Sequence, residues 1–268
     1  MKEPARPFLK WAGGKRRLLA QILPHMPASF GRYHEPFVGS GALFFHLGPR
    51  RAVLSDNNER LIRAYQGLRD SASDVIGLLS TYRHDREFFE QMRERDIDSA
   101  SDVEVAAWLI YLNKTGYNGL YRVNSKNRFN VPFGDYARPN FCDEETLRLC
   151  ATRLSKVSLH VCDFERAARR ASAGDLVYFD PPYVPLSVTS YFTSYTKDGF
   201  DMDDQRRLRD VALALKEKEV HVLISNSSAP AVYELYREQF RIVEVTARRD
   251  INCQSEGRGR ITELLIVS

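Results

Sequence analysis

Short apolar runs and amphipathic stretches of helical period alternate along both ends of the chain and lose that alternation in its middle. Strand-length apolar runs stand at 52–55, 159–162, 176–179, 220–225, 241–247 and 261–267. Several are nearly continuous and β-branched, the pattern of strands buried on both faces. Helical periodicity predicts helices over 14–23, 42–47, 58–69, 165–171, 203–218 and 229–239. Strands alternating with helices predict an α/β fold with a mostly parallel sheet covered on both sides. From 57 to 156 the amphipathic stretches are helical (86–96, 103–112 and 143–154), interrupted by 117–134, where two short β-like runs flank Ser125-Lys126-Asn127. This middle reads as a helical insertion carrying a β-hairpin over 117–134, set between 1–56 and 157–268, which form the other domain.

Composition narrows the class. With 268 residues, 43% hydrophobic and 28% charged, the chain is neither disordered, collagen-like nor a coiled coil. No run approaches the ~18 apolar residues of a membrane span. The N-terminus has no apolar signal segment, so the expected location is the cytoplasm, with no membrane partner. Cys142, Cys150, Cys162 and Cys253 form no Cys-x-x-Cys and are expected to be reduced packing residues, with no metal site. The net charge of +4 is small but uneven, with nine basic residues against three acidic over 1–56 and five against one over 111–140. Lys10, Lys15, Arg16, Arg17, Lys114, Arg122, Lys126, Arg128 and Arg138 would line one basic surface if the fold brings these segments together.

The chemistry concentrates in a few turns. Asp180-Pro181-Pro182-Tyr183 directly follows the run 176–179, at the carboxyl end where open α/β sheets hold their ligands. Two successive prolines cannot donate backbone hydrogen bonds, so the Asp180 carboxylate and the Pro181 carbonyl can both face the crevice. That pair of acceptors suits an exocyclic amine on adenine or cytosine, whose lone pair is delocalised into the ring until both N–H groups are held. The carboxylate would stabilise the positive charge that develops on the nitrogen, and Tyr183 offers a face for a flat base. Glu35-Pro36-Phe37-Val38-Gly39-Ser40-Gly41 ends a short apolar run and opens the helix 42–47. It fails the G-x-G-x-x-G spacing, which disfavours a pyrophosphate. The next strand ends in Asp56, placed to accept ribose hydroxyls, and a third ends at Asp163-Phe164, placed to bond and pack against an adenine. Acids at three strand ends point to a nucleoside without a diphosphate, namely S-adenosylmethionine. A second turn, Trp11-Ala12-Gly13-Gly14-Lys15, lacks the spacing of a phosphate loop.

With these motifs in place, the chain resembles the DNA adenine-N6 methyltransferase (Dam) family over nearly its whole length. The resemblance rests on 8–15, 35–41, 113–122, 129–134, 180–183 and 223–226, in that family's order. It implies a Rossmann-like class I methyltransferase sheet with an antiparallel strand near its end, and S-adenosylmethionine as cofactor. It further implies cofactor contacts at Trp11, Lys15, Asp56 and Asp180, with Gly39 and Gly41 near the methionine moiety. In that family the pattern at Lys10, Leu120, Arg122 and Pro132 goes with the palindrome GATC.

The middle segment also has a physical reading. Tyr117 and Asn118 sit where a side chain could fill the gap left by an extruded base. Arg122 can contact guanine bidentately, and Leu120 and Pro132 can touch a thymine methyl. Asn124 and Tyr136 complete the expected contacts to double-stranded DNA, with Arg248, Arg249, Arg258 and Arg260 on phosphates. The stretch 187–200, with Tyr191, Phe192 and Tyr195, reads as a lid. The expected enzyme is a monomer in solution. Rival readings are an RNA adenine or DNA cytosine-N4 methyltransferase and a DNA-binding regulator that has lost catalysis.

Overall fold

The structure, a computed structural model, describes residues 4–186, 200–248 and 260–268. Strands β1 (Tyr33–Glu35), β2 (Ala52–Asp56), β3 (Val157–Val161), β4 (Leu176–Phe179), β5 (His221–Ser227), β6 (Arg241–Arg248) and β7 (Arg260–Val267) form a seven-stranded sheet. The order is β3-β2-β1-β4-β5-β7-β6. Pairs β1–β2, β1–β4 and β4–β5 are parallel, whereas β7 runs antiparallel to both β5 and β6. The expected mixed α/β sheet is thus present, Rossmann-like in order, with its antiparallel strand near one end. Strand order runs outward in both directions from β1 and β4, so the topological switch point lies between them, and a ligand crevice belongs at their carboxyl ends.

The described chain divides into two units. The first comprises Met1–Gly14, Val38–Arg50 and Asp56–Val161, the second Lys15–Phe37, Arg51–Ser55 and Cys162–Ser268. In the second, α1 (Leu19–Ile22), α7 (Phe164–Ala168), α8 (Met202–Glu217) and α9 (Pro230–Tyr236) accompany the central strands. All four residues of β4 are buried, as a central parallel strand requires. Val177, Phe179, Val222 and Ile224 pack with Leu208, Ala212 and Leu215 of α8 and Val232 and Tyr236 of α9. The helix α8 starts at an Asp201 cap whose carboxylate accepts from Asp203 and Asp204 N–H.

The first unit holds α2 (Ala42–Leu47), α3 (Glu59–Ser80), α4 (Arg86–Glu94), α5 (Asp102–Thr115) and α6 (Glu144–Leu154). In α5 every residue from Val105 to Asn113 is buried, so it is the unit's central helix, apolar nearly all round. It begins in a Ser101–Glu104 capping box. Gly67 lets α3 approach α5 closely, because a Cβ there would run into the carbonyl oxygen of Asp102. None of the helices among the described residues is long and apolar enough to cross a membrane.

Four elements differ from expectation. The helix expected over 14–23 is broken into a 3-10 turn Lys15–Arg17, the one-turn α1 and a second 3-10 turn Leu23–His25. Lys15 turns inward to an ion pair and Pro24 forbids continuation. The helix expected to end at 69 continues to Ser80 past a kink at Ser71, where φ is −145°. The strand expected over 159–162 is β3, which ends at Val161, and Asp163 instead caps α7. The expected hairpin forms two isolated antiparallel bridges, Gly116 with Phe133 and Val123 with Phe129, instead of a ladder. Asn118 and Asn127 adopt positive φ there, and Pro132 brings no N–H to a ladder.

Candidate active site

In the second unit, β1 ends in Glu35 and β4 ends just before Asp180, on either side of the switch point. Lys15 Nζ lies 2.8 Å from Asp180 Oδ1 and 4.6 Å from the centre of the Tyr183 ring. The lysine is buried and the carboxylate largely so. Burial pushes the Asp180 carboxyl above the ordinary aspartate value, the Lys15 ammonium opposes that rise, and Glu263 adds to it. Glu35 is buried and accepts the Tyr33 hydroxyl at 2.8 Å.

The turn is held by side chains that the motifs did not single out. Gln205 of α8 donates to the Pro182 carbonyl at 2.9 Å and accepts from Asn226 Nδ2 at 3.0 Å. Asn226 Oδ1 accepts from the backbone N–H groups of Val184 and Ser227, and the Ser227 hydroxyl donates to the Val184 carbonyl. Buried and fully engaged, this network fixes the backbone after Asp180. Glu263 of β7 accepts the Tyr183 hydroxyl at 2.6 Å. Asn226 lies in the stretch 223–226 that carries the family resemblance, but Gln205 and Glu263 give no sequence signal because their partners are 23 and 80 residues away.

Phe37 stacks on Phe164 with centroids 5.4 Å apart and meets Phe179 edge-on. Phe164 is buried, so Phe37, half-buried, is the more accessible ring. The Asp163 carboxylate accepts from Glu165 N–H at 2.9 Å and lies 3.4 Å from Arg207.

In the first unit, Gly39 and Gly41 both have positive φ (47° and 63°) and turn the chain into α2. A Cβ at Gly39 would lie 2.7 Å from Trp11 Cδ1, so only glycine admits the indole. The Gly39 N–H donates to Asp56 Oδ2 at 3.2 Å, and Tyr65 donates to the Gly39 carbonyl at 3.0 Å. Asp56 Oδ1 accepts from Asn58 N–H. Burial raises the Asp56 carboxyl, and these backbone donors pull it down.

The same unit contains the expected DNA-contacting segment. Tyr117 and Leu120 are 49% and 36% exposed, conspicuous for large apolar side chains. Asn118 is exposed at a φ of 55°. Arg122 is exposed, anchored by Nε and Nη2 to Asn130 at 2.7 and 3.1 Å. Asn124 spends its side-chain oxygen on the turn, accepting from Lys126 and Arg128 N–H. The Pro132 carbonyl accepts from Tyr117 N–H. Lys10 lies over the Tyr136 ring, and its backbone is clasped by Asn113, which also bonds the Gly119 carbonyl. Tyr121 stacks on Trp11 at 5.3 Å and 18°, and Arg60, ion-paired to Asp98, also bonds the Asn127 carbonyl. Side chains at Arg248 and Arg260, and all of Arg249, Arg258, Tyr191, Phe192, Tyr195 and Cys253, lie outside the described residues.

Residues 11–251 match a family model described as D12 class N6 adenine-specific DNA methyltransferase. The chain is 45% identical over 271 residues to the Type II methyltransferase M1.LlaDCHI of Lactococcus lactis subsp. cremoris, covering 98% of this chain and 95% of that protein. It is 39% identical over 285 residues to the Type II methyltransferase M.MjaIII of Methanocaldococcus jannaschii, covering 98% and 99%. It is also 36% identical over 265 residues to the DNA adenine methylase of Escherichia coli (strain K12), covering 97% and 94%.

Proposed function

Because the chain belongs to the D12 class of N6 adenine-specific DNA methyltransferases, we propose that its methyl donor is S-adenosylmethionine and its target an adenine extruded from duplex DNA within GATC. The observation that carries the reading is the Asp180 turn at the sheet's switch point, with its carboxylate held by Lys15. The Asp180 carboxylate and Pro181 carbonyl accept both N–H groups of the adenine amine and draw N6 towards sp³ geometry. Asp180 then stabilises the positive charge on nitrogen, and the Tyr183 ring stacks on the base. Lys15 holds the carboxylate in place, and the Gln205–Asn226 network holds the peptide that follows.

The residues present fit the cofactor. S-adenosylmethionine supplies an electrophilic methyl group on a good leaving sulfur, so the protein's task is orientation and exclusion of water more than proton transfer. The Phe37 ring, half-buried against Phe164, offers a face to a flat base, and Asp56 supplies an acceptor for a ribose diol. The reading assigns cofactor contacts to Trp11, Lys15, Glu35, Phe37, Gly39, Gly41, Asp56, Asp163, Phe164 and Asp180. It assigns DNA contacts to Lys10, Tyr117, Asn118, Leu120, Arg122, Asn124, Pro132, Tyr136, Arg248 and Arg249.

Transfer of label from S-adenosylmethionine into unmethylated duplex DNA, followed by nucleoside analysis and cleavage with methylation-sensitive nucleases, tests the whole reading. N6-methyladenine confined to GATC is the expected result. Label at other adenines would remove the GATC assignment, and absence of label would remove the donor. Arg122→Ala is expected to relax base choice at one position, by about 1–3 kcal/mol for a bidentate contact. Competition between GATC and singly substituted duplexes measures it, and unchanged discrimination would take Arg122 out of base readout.

A further inference from the structure

The Tyr183 hydroxyl is tied to a carboxylate that none of the turn motifs contains. Glu263 lies within β7, opposite Ser227 of β5 and Val245 of β6. The antiparallel insertion of β7 between those strands is therefore what delivers this side chain to the Asp180 turn. Tyr183 is held at its ring by Lys15 Nζ (4.6 Å) and at its hydroxyl by Glu263 Oε2 (2.6 Å), while Lys15 also pairs with Asp180 (2.8 Å). Lys15 thus links Asp180 to the face of the Tyr183 ring, and Glu263 holds the far end of that ring.

We propose that Glu263 is a positioning residue for methyl transfer, tethering the Tyr183 ring in the plane on which the target base stacks and adding negative potential where Lys15 offsets that of Asp180. The proposal rests on reading Asp180–Tyr183 as the catalytic turn. A phenol bonded only through its ring can swing about its first two side-chain torsions, and a base stacked on it would swing with it. A tether at the far end of the ring removes that freedom before the substrate arrives. The nitrogen that attacks becomes positive, so a second carboxylate near the first favours the transition state over the neutral ground state.

Among the described residues, the groups facing Asp180 are Lys15 from the N-terminal turn, Glu263 from β7, and the phenols of Tyr33, Tyr178 and Tyr183. Burial pushes all three phenols well above their ordinary value, so they stay protonated where the enzyme works. Glu263 raises the Asp180 carboxyl, so its removal must lower that group's pKa.

The experiment compares wild type, Glu263→Gln, Glu263→Ala, Tyr183→Phe and the Tyr183→Phe/Glu263→Gln double variant. It reads kcat, KM for each substrate and the pH profile of kcat/KM, with S-adenosylmethionine binding followed by equilibrium dialysis. Glu263→Gln keeps an acceptor and loses the charge. It is expected to lower kcat by about tenfold, leave both KM values and cofactor binding unchanged, and move the acid limb to lower pH. Glu263→Ala is expected to lose more in kcat, and the double variant to lose less than the product of its two single losses. Wild-type kcat and an unmoved acid limb in Glu263→Gln would overturn the proposal. So would a variant that merely melts earlier, with kcat per folded molecule and pH profile intact. If the wild-type protein transfers no methyl, or Asp180→Ala retains full turnover, the catalytic reading itself falls and Glu263 falls with it.

Discussion

Asp180→Ala is expected to lower methyl transfer by at least about 10²–10³-fold, the scale of losing one aimed electrostatic partner in a dry site, while duplex binding survives. The expectation follows from where the carboxylate stands. It follows a fully buried strand at the switch point, is largely buried itself, and is met by Lys15 at 2.8 Å. In the proposed mechanism, removing it takes away an acceptor for the amine and the charge that stabilises the methylated nitrogen. The proposed DNA contacts Tyr117, Leu120 and Arg122 belong to a different segment of the chain. Asp180→Asn separates the two losses, since it keeps an acceptor oxygen and forfeits the charge. Single-turnover kinetics beside a filter-binding assay decides the matter, and full turnover in Asp180→Ala would sink the mechanism. Because burial raises this carboxyl, activity should fail on the acid side at a pH above that of an ordinary aspartate, as protonation removes the charge.

The second large effect concerns stability. Gly67→Ala is expected to destabilise the fold by about 2–3 kcal/mol, the upper range for overpacking a tight interior. Its new methyl would collide with the Asp102 backbone and press on the Ala106 side chain. A backbone carbonyl at the capped start of α5 cannot rotate away as a side chain can, so α3 and α5 must separate. Gly77, in the same helix α3, would meet nothing within 4 Å, and Gly77→Ala should stabilise by about 0.5–1 kcal/mol through helix propensity alone. Thermal melts of the two variants should therefore move in opposite directions, by roughly 2–4 °C per kcal/mol. A Gly67→Ala melt at or above wild type would mean that the two helices do not pack at this distance.

Sequence patterns located the central strands and the turns that follow them because their signals are local. An unbroken apolar run into Asp-Pro-Pro-Tyr locates β4 and the Asp180 turn, and apolar runs with glycines locate β2, Asp56 and the start of α2. What stayed hidden depends on partners distant in the chain. Strand β1 is three residues, Tyr-His-Glu, and His34 can be buried there only because Asp175, 141 residues on, bonds its ring at 3.1 Å. The periodicity of 14–23 is helical, yet the structure is broken because Lys15 reaches Asp180, 165 positions away in the chain. Residues 117–134 alternate like a hairpin, but α5, Lys10 and Trp11 fix that segment by side-chain contacts instead of a backbone ladder. Asn113, Arg60, Gln205 and Glu263 look like ordinary polar residues until those contacts are drawn.

The stack of Trp11 on Tyr121 gives the protein a built-in optical reporter. The chain has two tryptophans. Trp108 is buried with its indole N–H on the Met92 carbonyl, sealed from aqueous quenchers. Trp11 is partly exposed, pressed against Gly39 on one side and against Tyr121 on the other. The quencher-accessible share of the emission therefore belongs to one indole. Its intensity and wavelength follow the distance between the glycine turn and the segment that carries Arg122, with no label attached.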